Sequence, residues 1–159
     1  MYKDVKNKMV NKGYIEETNC ILTNRKFKNF KYLDNEENIK EIPSLNFNTE
    51  IKLNSLDFYR VIEYFDKINK SAILLDFEDK YQLILKDIDN LINIKIPLID
   101  FNGEIEKSNY SIEYLKAFFK EYKIKELKEE FIILKFSNDY PLKIELNKDW
   151  LILAPRIIN

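Results

Sequence analysis

Two stretches of helical periodicity, set between groups of strand-like runs, constrain the fold of this chain most. The apolar side chains of residues 56–68 recur every three or four positions, and those of residues 111–122 do the same. This spacing is typical of amphipathic helices that bury one face. Asn54 or Ser55 is a suitable N-cap for the first helix. The positions that carry the periodicity are Phe58, Val61, Ile62, Phe65 and Ile68, then Ile112, Leu115, Phe118 or Phe119, and Tyr122.

Runs that are rich in β-branched and aromatic residues surround the two predicted helices. One run precedes the first helix, three runs and an extended piece lie between the helices, and three runs follow the second helix. This order predicts an α+β domain in which two helices pack on one face of a largely antiparallel sheet. The runs are residues 49–53, 72–77, 81–88, 91–98, 103–109, 131–136, 141–146 and 150–157.

The chain before residue 49 has weaker patterns. Residues 1–13 are polar and lack periodicity, so we expect a loosely ordered lead-in. Two β-prone runs, residues 14–23 and 26–33, meet at Asn24-Arg25 and predict a β-hairpin. The acidic stretch 34–41 leads to Ile42 and a proline, which favours an extended conformation in the residue before it. We interpret this stretch as an extended linker.

The composition argues against most kinds of enzyme. The 159 residues include no His, two Gly and a single Cys, so the usual general base, the commonest metal ligand and a Gly-rich phosphate loop are all missing. We therefore expect no catalysis, no cofactor and no metal, although carboxylate-only metal chemistry stays open. Cys20 is interpreted as a buried structural thiol. Asp76, Glu78 and Asp79 are interpreted as a solvated turn.

The charge balance and the hydropathy restrict the partners and the location. Lys and Arg number 26 against 27 Asp and Glu, so a nucleic-acid contact must come from a local concentration of cations. No run approaches the ~18 apolar residues that a membrane helix needs. The first residues lack the apolar run of a signal peptide. We expect an intracellular, cytoplasmic protein with no membrane partner.

Several motifs, in the same order and spacing, resemble the PCNA-type DNA sliding clamps of archaea and eukaryotes. Residues 138–145 (NDYPLKIE) and 153–157 (LAPRI) are similar to the family's D-x-P-L-x-[IV]-E strand and its terminal L-A-P-[RK]-[IV] strand. Residues 110–116 (YSIEYLK) resemble the opening of the family's second helix, and residues 55–68 resemble the first helix of its second domain. The resemblance implies the DNA-clamp fold and, as the source, an archaeon or a virus in its host cell.

The resemblance also implies a division of the chain. Residues 26–33 and the following acidic stretch are similar to the last strand of the family's first domain and to its interdomain connector. We therefore expect an N-terminal segment with a hairpin at residues 1–34, a connector at 35–46 and a C-terminal clamp domain at 47–159. Most of the first domain is missing, whereas the family's three-subunit ring needs six domains.

The function that the resemblance implies is that of a non-catalytic processivity factor in DNA replication or repair. Such a protein contacts duplex DNA of any sequence and tethers polymerases, nucleases or ligases through their peptides. It either assembles a ring from its own copies or joins a full-length clamp as a truncated subunit or decoy. Two other classes stay open: a carboxylate-dependent metal nuclease or binding protein that shares only the fold, and a degenerate remnant without activity.

In a clamp ring the helices face a central hole around the duplex, and cations on their outer faces lie near phosphates. Acidic neighbours such as Glu63, Asp66, Glu113 and Glu121 dilute this charge, and the alternative interpretation is that the cations only keep the helices solvated. The candidate DNA-facing residues are Arg60, Lys67, Lys70, Lys116, Lys120 and Lys123.

The resemblance further implies an outer groove that receives partner peptides, where apolar anchors dock and backbone pairing follows an edge. Lys40 stands where an apolar connector residue is usual, and part of the family's pocket comes from a missing loop. Pro155 has an alternative role, since a proline on an edge strand discourages extra pairing. The candidate groove residues are Ile42, Pro43, Pro141, Ile152, Ala154 and Pro155.

Clamp domains join by pairing the last strand of one domain with the fourth strand of its neighbour. Residues 91–98 correspond to that fourth strand, and either residues 150–157 or residues 26–33 supply the partner strand. Head-to-tail pairing of this kind closes into a ring, here of six copies, or runs on as a filament. Alternatively, the hairpin caps an edge and keeps the chain monomeric. The candidate edge residues are Leu91, Ile92, Ile94 and Ile96.

Overall fold

The computed structural model describes residues 12–16, 18–32, 39–41 and 44–157, which form twelve strands and three helices. The strands are β1 (Lys12–Ile15), β2 (Ile21–Thr23), β3 (Ile39–Glu41), β4 (Thr49–Asn54), β5 (Ala72–Phe77), β6 (Gln82–Lys86), β7 (Asn93–Pro97), β8 (Asp100–Gly103), β9 (Ser108–Ser111), β10 (Phe131–Phe136), β11 (Leu142–Leu146) and β12 (Asp149–Leu153). The helices are α1 (Ser55–Lys67), α2 (Ile112–Phe119) and α3 (Ile124–Glu129).

The strands form two antiparallel sheets, which confirms the predicted α+β class. An eight-stranded sheet has the order β3-β1-β2-β12-β11-β10-β4-β8, and a four-stranded sheet has the order β7-β6-β5-β9. The sequence analysis expected one sheet. The extended piece near residues 103–109 explains the difference, because it separates β8, which pairs with β4, from β9, which pairs with β5.

The first helix begins and ends within one residue of the predicted positions. Asn54 is the N-cap of α1, and its side-chain oxygen accepts a hydrogen bond from the N–H of Asp57 (3.1 Å). The second helix is shorter than predicted, because α2 ends at Phe119 and the short α3 follows. Only Leu127 of α3 is buried, so that helix has no periodicity to detect. In the described part of the chain, no helix is long and apolar enough to cross a membrane.

Alternating side chains of the central strands divide the large sheet into two faces. In β4, β10 and β11 the inward residues are buried with the aromatic side chains of α1 and α2, in one core that includes Phe58, Phe65 and Phe118. Side chains of successive strand residues point to opposite faces. The outward face therefore carries Lys52 and Lys143, on the side of the sheet away from the helices.

The N-terminal hairpin forms at a different place from the one predicted. β1 pairs with β2 in the register Tyr14↔Thr23, and the turn between them has Asn19 at a φ of 61° with its N–H donating to the carbonyl of Glu16 (2.8 Å). Residues 26–33 were expected to be the second arm. Among those that the structure describes, only Tyr32 has strand-like pairing, in an isolated bridge. The predicted linker at 34–41 contains β3, which pairs with β1.

Residues 24–32 leave the sheet because their aromatic side chains are buried against α2. Phe27 is 5% exposed, and its ring lies 6.3 Å from that of Phe118. The ring of Phe30 lies 5.5 Å from that of Tyr114. Burial of Phe27 and partial burial of Phe30 outweigh the β-propensity of the run, since removing large aromatic side chains from water is worth more than the preferences of single residues.

We expect the substitution Phe27→Ala to lower the free energy of unfolding by about 3–5 kcal/mol, the usual cost of deleting a buried aromatic ring. Urea denaturation followed by circular dichroism measures it. Tyr81→Ala is the control, because Tyr81 is 77% exposed and its removal costs under about 0.5 kcal/mol. Equal stability of the two variants would contradict the burial of residues 24–32 as an integral part of the core.

Candidate functional site

The six candidate DNA-facing cations lie on α1 and α2 or just after them, and three of them are in ion pairs. The ammonium of Lys67 is 3.2 Å from Glu63, one helical turn away, and that of Lys116 is 2.6 Å from Asp66 across the two helices. The ammonium of Lys70 is 3.3 Å from a carboxylate oxygen of a buried aspartate. Half of the predicted positive face is therefore neutralised within the chain.

Arg60, Lys120 and Lys123 are exposed. Within the part of the chain that the structure describes, no carboxylate forms an ion pair with them. The backbone N–H of Lys123 donates to Glu126 at the start of α3 (3.3 Å). These three cations are the strongest of the six for contacts with phosphate, because no internal partner has to be displaced.

The partner of Lys70 is Asp87, whose side chain is fully buried after β6. One of its oxygens accepts a hydrogen bond from the N–H of Ile92 (2.9 Å), and the other faces Lys70. The backbone hydrogen bond and then the Lys70 ammonium hold the pKa of Asp87 below its usual value of 3.8, against the effect of burial. This ion pair ties the end of α1 to the turn before β7, which is a structural role.

Lys28 and Arg156, which are not among the six candidates from the sequence, lie beside the helix cations. A groove of about 410 Å³ is lined by residues 28–30 and by residues of α2, and we call it the basic groove. Its charged lining is Lys28, Asp66, Lys70, Glu113, Lys116, Lys120 and Arg156. The alternation of Lys with Phe in residues 26–31 is a signal in the sequence, but its meaning depends on the packing of Phe27 and Phe30 against α2.

The candidate peptide groove is described only in part. Ile42 and Pro43 lie outside the described residues. Pro141 lies opposite Ala154 when the β11–β12 register, Leu142↔Leu153, is continued by one residue. Both are half-buried, as is Pro155.

Ile152 differs from the expectation of an open groove wall. Its side chain is 7% exposed and packs with Leu22 and Trp150, with Ile15 and Leu45 against the same cluster. No local pattern in the sequence indicates that Ile152 is covered, because the covering side chains come from β1, β2 and the chain before β4, more than a hundred residues away.

The edge of β12 is also occupied. β2 pairs with β12 in the register Ile152↔Leu22, and the N–H of Ala154 extends the pairing by donating to the carbonyl of Cys20 (2.9 Å). A short polar network fixes this contact. The Thr23 hydroxyl donates to the carbonyl of Trp150 (2.7 Å), and the Asn24 side chain bonds the backbone of both Lys148 and Trp150.

Arg25 adds a charged anchor to the same contact. Its guanidinium is 2.7 Å from Glu121 and 3.2 Å from Asp149, and it lies over the Tyr122 ring at 5.0 Å. The Tyr122 hydroxyl donates to the same Asp149 carboxylate. Burial and this neighbouring carboxylate raise the pKa of Tyr122, so the hydroxyl stays a donor at all ordinary pH values. The N-terminal segment is thereby held on both the sheet and α2.

By contrast, β7 has one free edge. It pairs with β6 on its other side. The N–H of Leu98 donates to the carbonyl of Tyr81 (2.8 Å), so Leu98 and Tyr81 form one of the hydrogen-bonded pairs of this ladder. Bonded and non-bonded pairs alternate along an antiparallel ladder, so every second residue of β7 turns its peptide groups outward. On that outward side, no strand in the described part of the chain pairs with β7. The outward residues are Asn93, Lys95 and Pro97.

The candidate edge residues have different environments. Leu91 is 81% exposed in the turn before β7, whereas Ile96 is buried in the core. Ile92 and Ile94 are half-buried against the core. The inward side chains of Ile92, Ile94 and Ile96 hold β7 against the core. A further strand would pair with the outward peptide groups of β7.

Among the residues that the structure describes, no cluster of three or more carboxylates or thiols could hold a metal ion. Cys20 is half-buried, and its sulfur lies 3.7 Å from the carbonyl of Thr18.

Comparison with curated proteins relates the chain to clamps. No family model matches it. The DNA polymerase sliding clamp of Archaeoglobus fulgidus is 28% identical over an alignment of 125 residues, and the match covers 73% of this chain and 49% of that relative. The DNA polymerase sliding clamp of Nanoarchaeum equitans is 33% identical over an alignment of 138 residues, and the match covers 78% of this chain and 53% of that relative. The chain therefore spans about half the length of the curated relatives it matches.

Solved structures share the fold. The A. fulgidus PCNA that binds the C-terminal region of FEN-1 matches with a TM-score of 0.62 and 24% identity, over 92% of this chain and 64% of that chain. The PCNA2–PCNA3 complex from Sulfolobus tokodaii matches with a TM-score of 0.59 and 21% identity, over 80% of this chain and 55% of that chain.

We expect Lys70→Gln to destabilise the protein at pH 7, because it leaves the buried Asp87 carboxylate without its cation. The pKa of Asp87 is lowered in the folded state, so the stability it contributes is present above the unfolded value and lost as the pH falls through the folded one. The difference from wild type in the free energy of unfolding should therefore shrink below about pH 4.

Urea titrations between pH 3 and pH 7 measure this difference. Lys67→Gln is the matched control, because it breaks an exposed pair worth about 0.3–0.5 kcal/mol. A Lys70→Gln protein as stable as the Lys67→Gln protein at pH 7 would contradict the structural role of the pair.

Proposed function

The chain is a relative of the PCNA-type DNA sliding clamps and has their fold, and from this premise we propose that it is a non-catalytic clamp-domain protein of DNA replication or repair. It acts as a processivity factor that contacts duplex DNA and tethers DNA enzymes. Residues 47–159 are the clamp domain, residues 35–46 the connector, and residues 1–34 an N-terminal segment before the connector. The observation that carries the proposal is the exposed cationic surface on the helix side of the domain.

The physical argument for DNA contact is the placement of charge. The net charge of the chain is −1, so the molecule as a whole is not drawn to a polyanion. Arg60, Lys120 and Lys123 nevertheless share the helix side without internal ion pairs to described residues. Flexible Lys and Arg side chains on a helix surface reach phosphates without reading bases. The contact we propose is sequence-independent, as a processivity factor requires.

Tethering of DNA enzymes rests on the outer surface near Pro141, Ala154 and Pro155. The A. fulgidus clamp binds the C-terminal region of FEN-1, and we propose that short peptides of DNA polymerases, nucleases or ligases bind this chain at the corresponding surface. The covered side chain of Ile152 and the occupied edge of β12 remove two elements of such a groove. We therefore expect a peptide to dock through apolar contacts at Pro141 and Pro155, without strand pairing to β12.

The state of the strand edges favours a second candidate function, in which the chain joins a full-length clamp as a truncated subunit or decoy. Head-to-tail assembly needs one donor edge and one acceptor edge in every copy. In this chain β2 covers the edge of β12, while the outward edge of β7 is open. One copy can therefore accept a strand on β7 but cannot offer β12, which disfavours a ring of identical copies.

We expect the protein to bind a 30-base-pair duplex at low salt, with equal affinity for unrelated sequences. The double substitution Arg60→Gln and Lys123→Gln should reduce the slope of log Kobs against log[salt] by about 0.9 for each lost phosphate contact. Fluorescence anisotropy between 50 and 200 mM NaCl measures both quantities. The control is Lys52→Gln with Lys143→Gln, which removes two charges from the opposite face.

Unchanged binding in the helix variant would remove the helix side as the DNA contact. The same duplex, incubated with magnesium or manganese and the protein, should stay intact. Cleavage that depends on the metal would favour the nuclease alternative instead.

For the second candidate, we expect the chain alone to have the mass of one 19.2 kDa copy and to co-migrate with a full-length clamp from the same source. Lys95→Pro should abolish this complex, because it removes an outward N–H from β7 while the pairing with β6 keeps its own donors. Lys95→Gln keeps that N–H and should leave the complex intact. Light scattering with size exclusion measures all three proteins. A discrete multimer of the chain alone would contradict this candidate and support the self-assembled ring.

A further inference from the structure

The basic groove brings together cations from four separate parts of the chain, and the chain after α1 supplies Lys70. Lys28 comes from the N-terminal segment, Lys116 and Lys120 from α2 and the residue after it, and Arg156 from the tail after β12. A second cavity of about 390 Å³ adjoins the groove and shares Lys28, Ala117 and Lys120 with it. Lys28 and Lys120 therefore stand between two neighbouring cavities, each about as large as the other.

The position of Lys28 is fixed by the side chains around it. The Phe27 ring packs against Phe118, and the Phe30 ring packs against Tyr114, one helical turn away on α2. Asn29 completes the turn between them with a φ of 70°, a conformation that Asn tolerates. Lys28 itself is exposed. The packing of the two rings thus places Lys28 beside α2, where it lines the groove and is exposed to solvent.

The charges around the groove do not cancel. Lys116 is paired with Asp66 and Lys70 with Asp87, and Glu121 beside the second cavity is paired with Arg25. This leaves Lys28, Lys120 and Arg156 against Glu113. Of the five guanidinium N–H donors of Arg156, one binds the carbonyl of Ser71 (3.0 Å), which orients the group at the groove and leaves other donors available.

We propose that the basic groove is a phosphate-binding site for the backbone of duplex DNA, with Lys28 and Arg156 as contact residues in addition to the helix cations. Two adjoining cavities with cations between them suit consecutive phosphates of one strand. A guanidinium and two ammonium groups bind phosphate oxygens without reading bases. The proposal rests on the proposed contact of the helix side with DNA, and it extends that contact to the N-terminal segment. The segment thereby adds DNA affinity as well as covering β12.

The test compares two pairs of substitutions that share no residue. Lys28→Gln with Arg156→Gln removes the groove contacts, and Arg60→Gln with Lys123→Gln removes the helix contacts. Both are titrated by anisotropy against the 30-base-pair duplex, with Lys52→Gln and Lys143→Gln as the control pair. The groove variant should lower the slope of log Kobs against log[salt] by about 1.8, or 0.9 per contact. When Lys28→Arg replaces Lys28→Gln in this variant, the slope should recover by about 0.9, because the charge at residue 28 is restored. Far-ultraviolet circular dichroism and the unfolding midpoint confirm that each variant is folded.

Four outcomes separate the two proposals. Loss in the groove variant, rescued by Lys28→Arg, supports the phosphate site. A groove variant that binds like wild type, while the helix variant is weakened, overturns the site and leaves the proposed function standing. A wild-type protein that does not bind the duplex at 50 mM NaCl overturns both. A groove variant that loses binding of inorganic phosphate in calorimetry but keeps DNA binding overturns the assignment to DNA, because the site then serves a small anion.

Discussion

The antiparallel pairing of β2 with β12 is the contact on which the arrangement of the functional surfaces depends. It joins residues 21–23 to residues 151–153, which are farther apart in sequence than the partners of any other strand pair among the described residues. Three consequences follow from it. The large sheet gains the N-terminal strands, the edge of β12 is closed, and the chain that leaves β2 must cross α2. The polar anchors at Thr23, Asn24 and Arg25 lie at that crossing, where the segment changes from strand to turn.

The same crossing decides where positive charge is available. On the helix side, carboxylates of the chain already pair with Lys67, Lys70 and Lys116, so a count of lysines in the sequence overstates the charge that a polyanion would meet. The N-terminal segment offsets this loss by placing Lys28 next to Lys120. A surface can therefore become locally basic in a chain with a net charge of −1, because long-range packing rather than composition sets which cations are unpaired.

How much could be predicted follows from the range of the interactions. The helices α1 and α2 and strands such as β5 and β10 were predictable because their burial pattern repeats within one element. The predicted position of the hairpin is wrong because Phe27 and Phe30 pack against α2, some ninety residues away, and no local pattern encodes that contact. The same reason applies to the sites. The exposure of Arg60 follows from its helix face, whereas the cover over Ile152, the neutralised Lys70 and the contribution of Lys28 all need the tertiary fold.

The two strand edges that could pair with another subunit differ, because the edge of β12 is covered by β2 and the outward edge of β7 is open. An open edge is a template for pairing with another chain, and proteins usually blunt such edges. Here β12 is blunted by the chain itself, and on β7 only Pro97 lacks an outward N–H. The peptide groups of Asn93 and Lys95 stay available, and Leu91 adds an exposed apolar contact beside them. An assembly that reached this chain through β7 would find no matching open edge on β12, so β2 acts as a stop on that side. An assembly that pairs β7 of one copy with β12 of the next therefore ends at this subunit unless the β1–β2 hairpin detaches from β12. Detachment would expose Leu22, Trp150 and Ile152, and the free-energy cost of exposing their apolar surface opposes it.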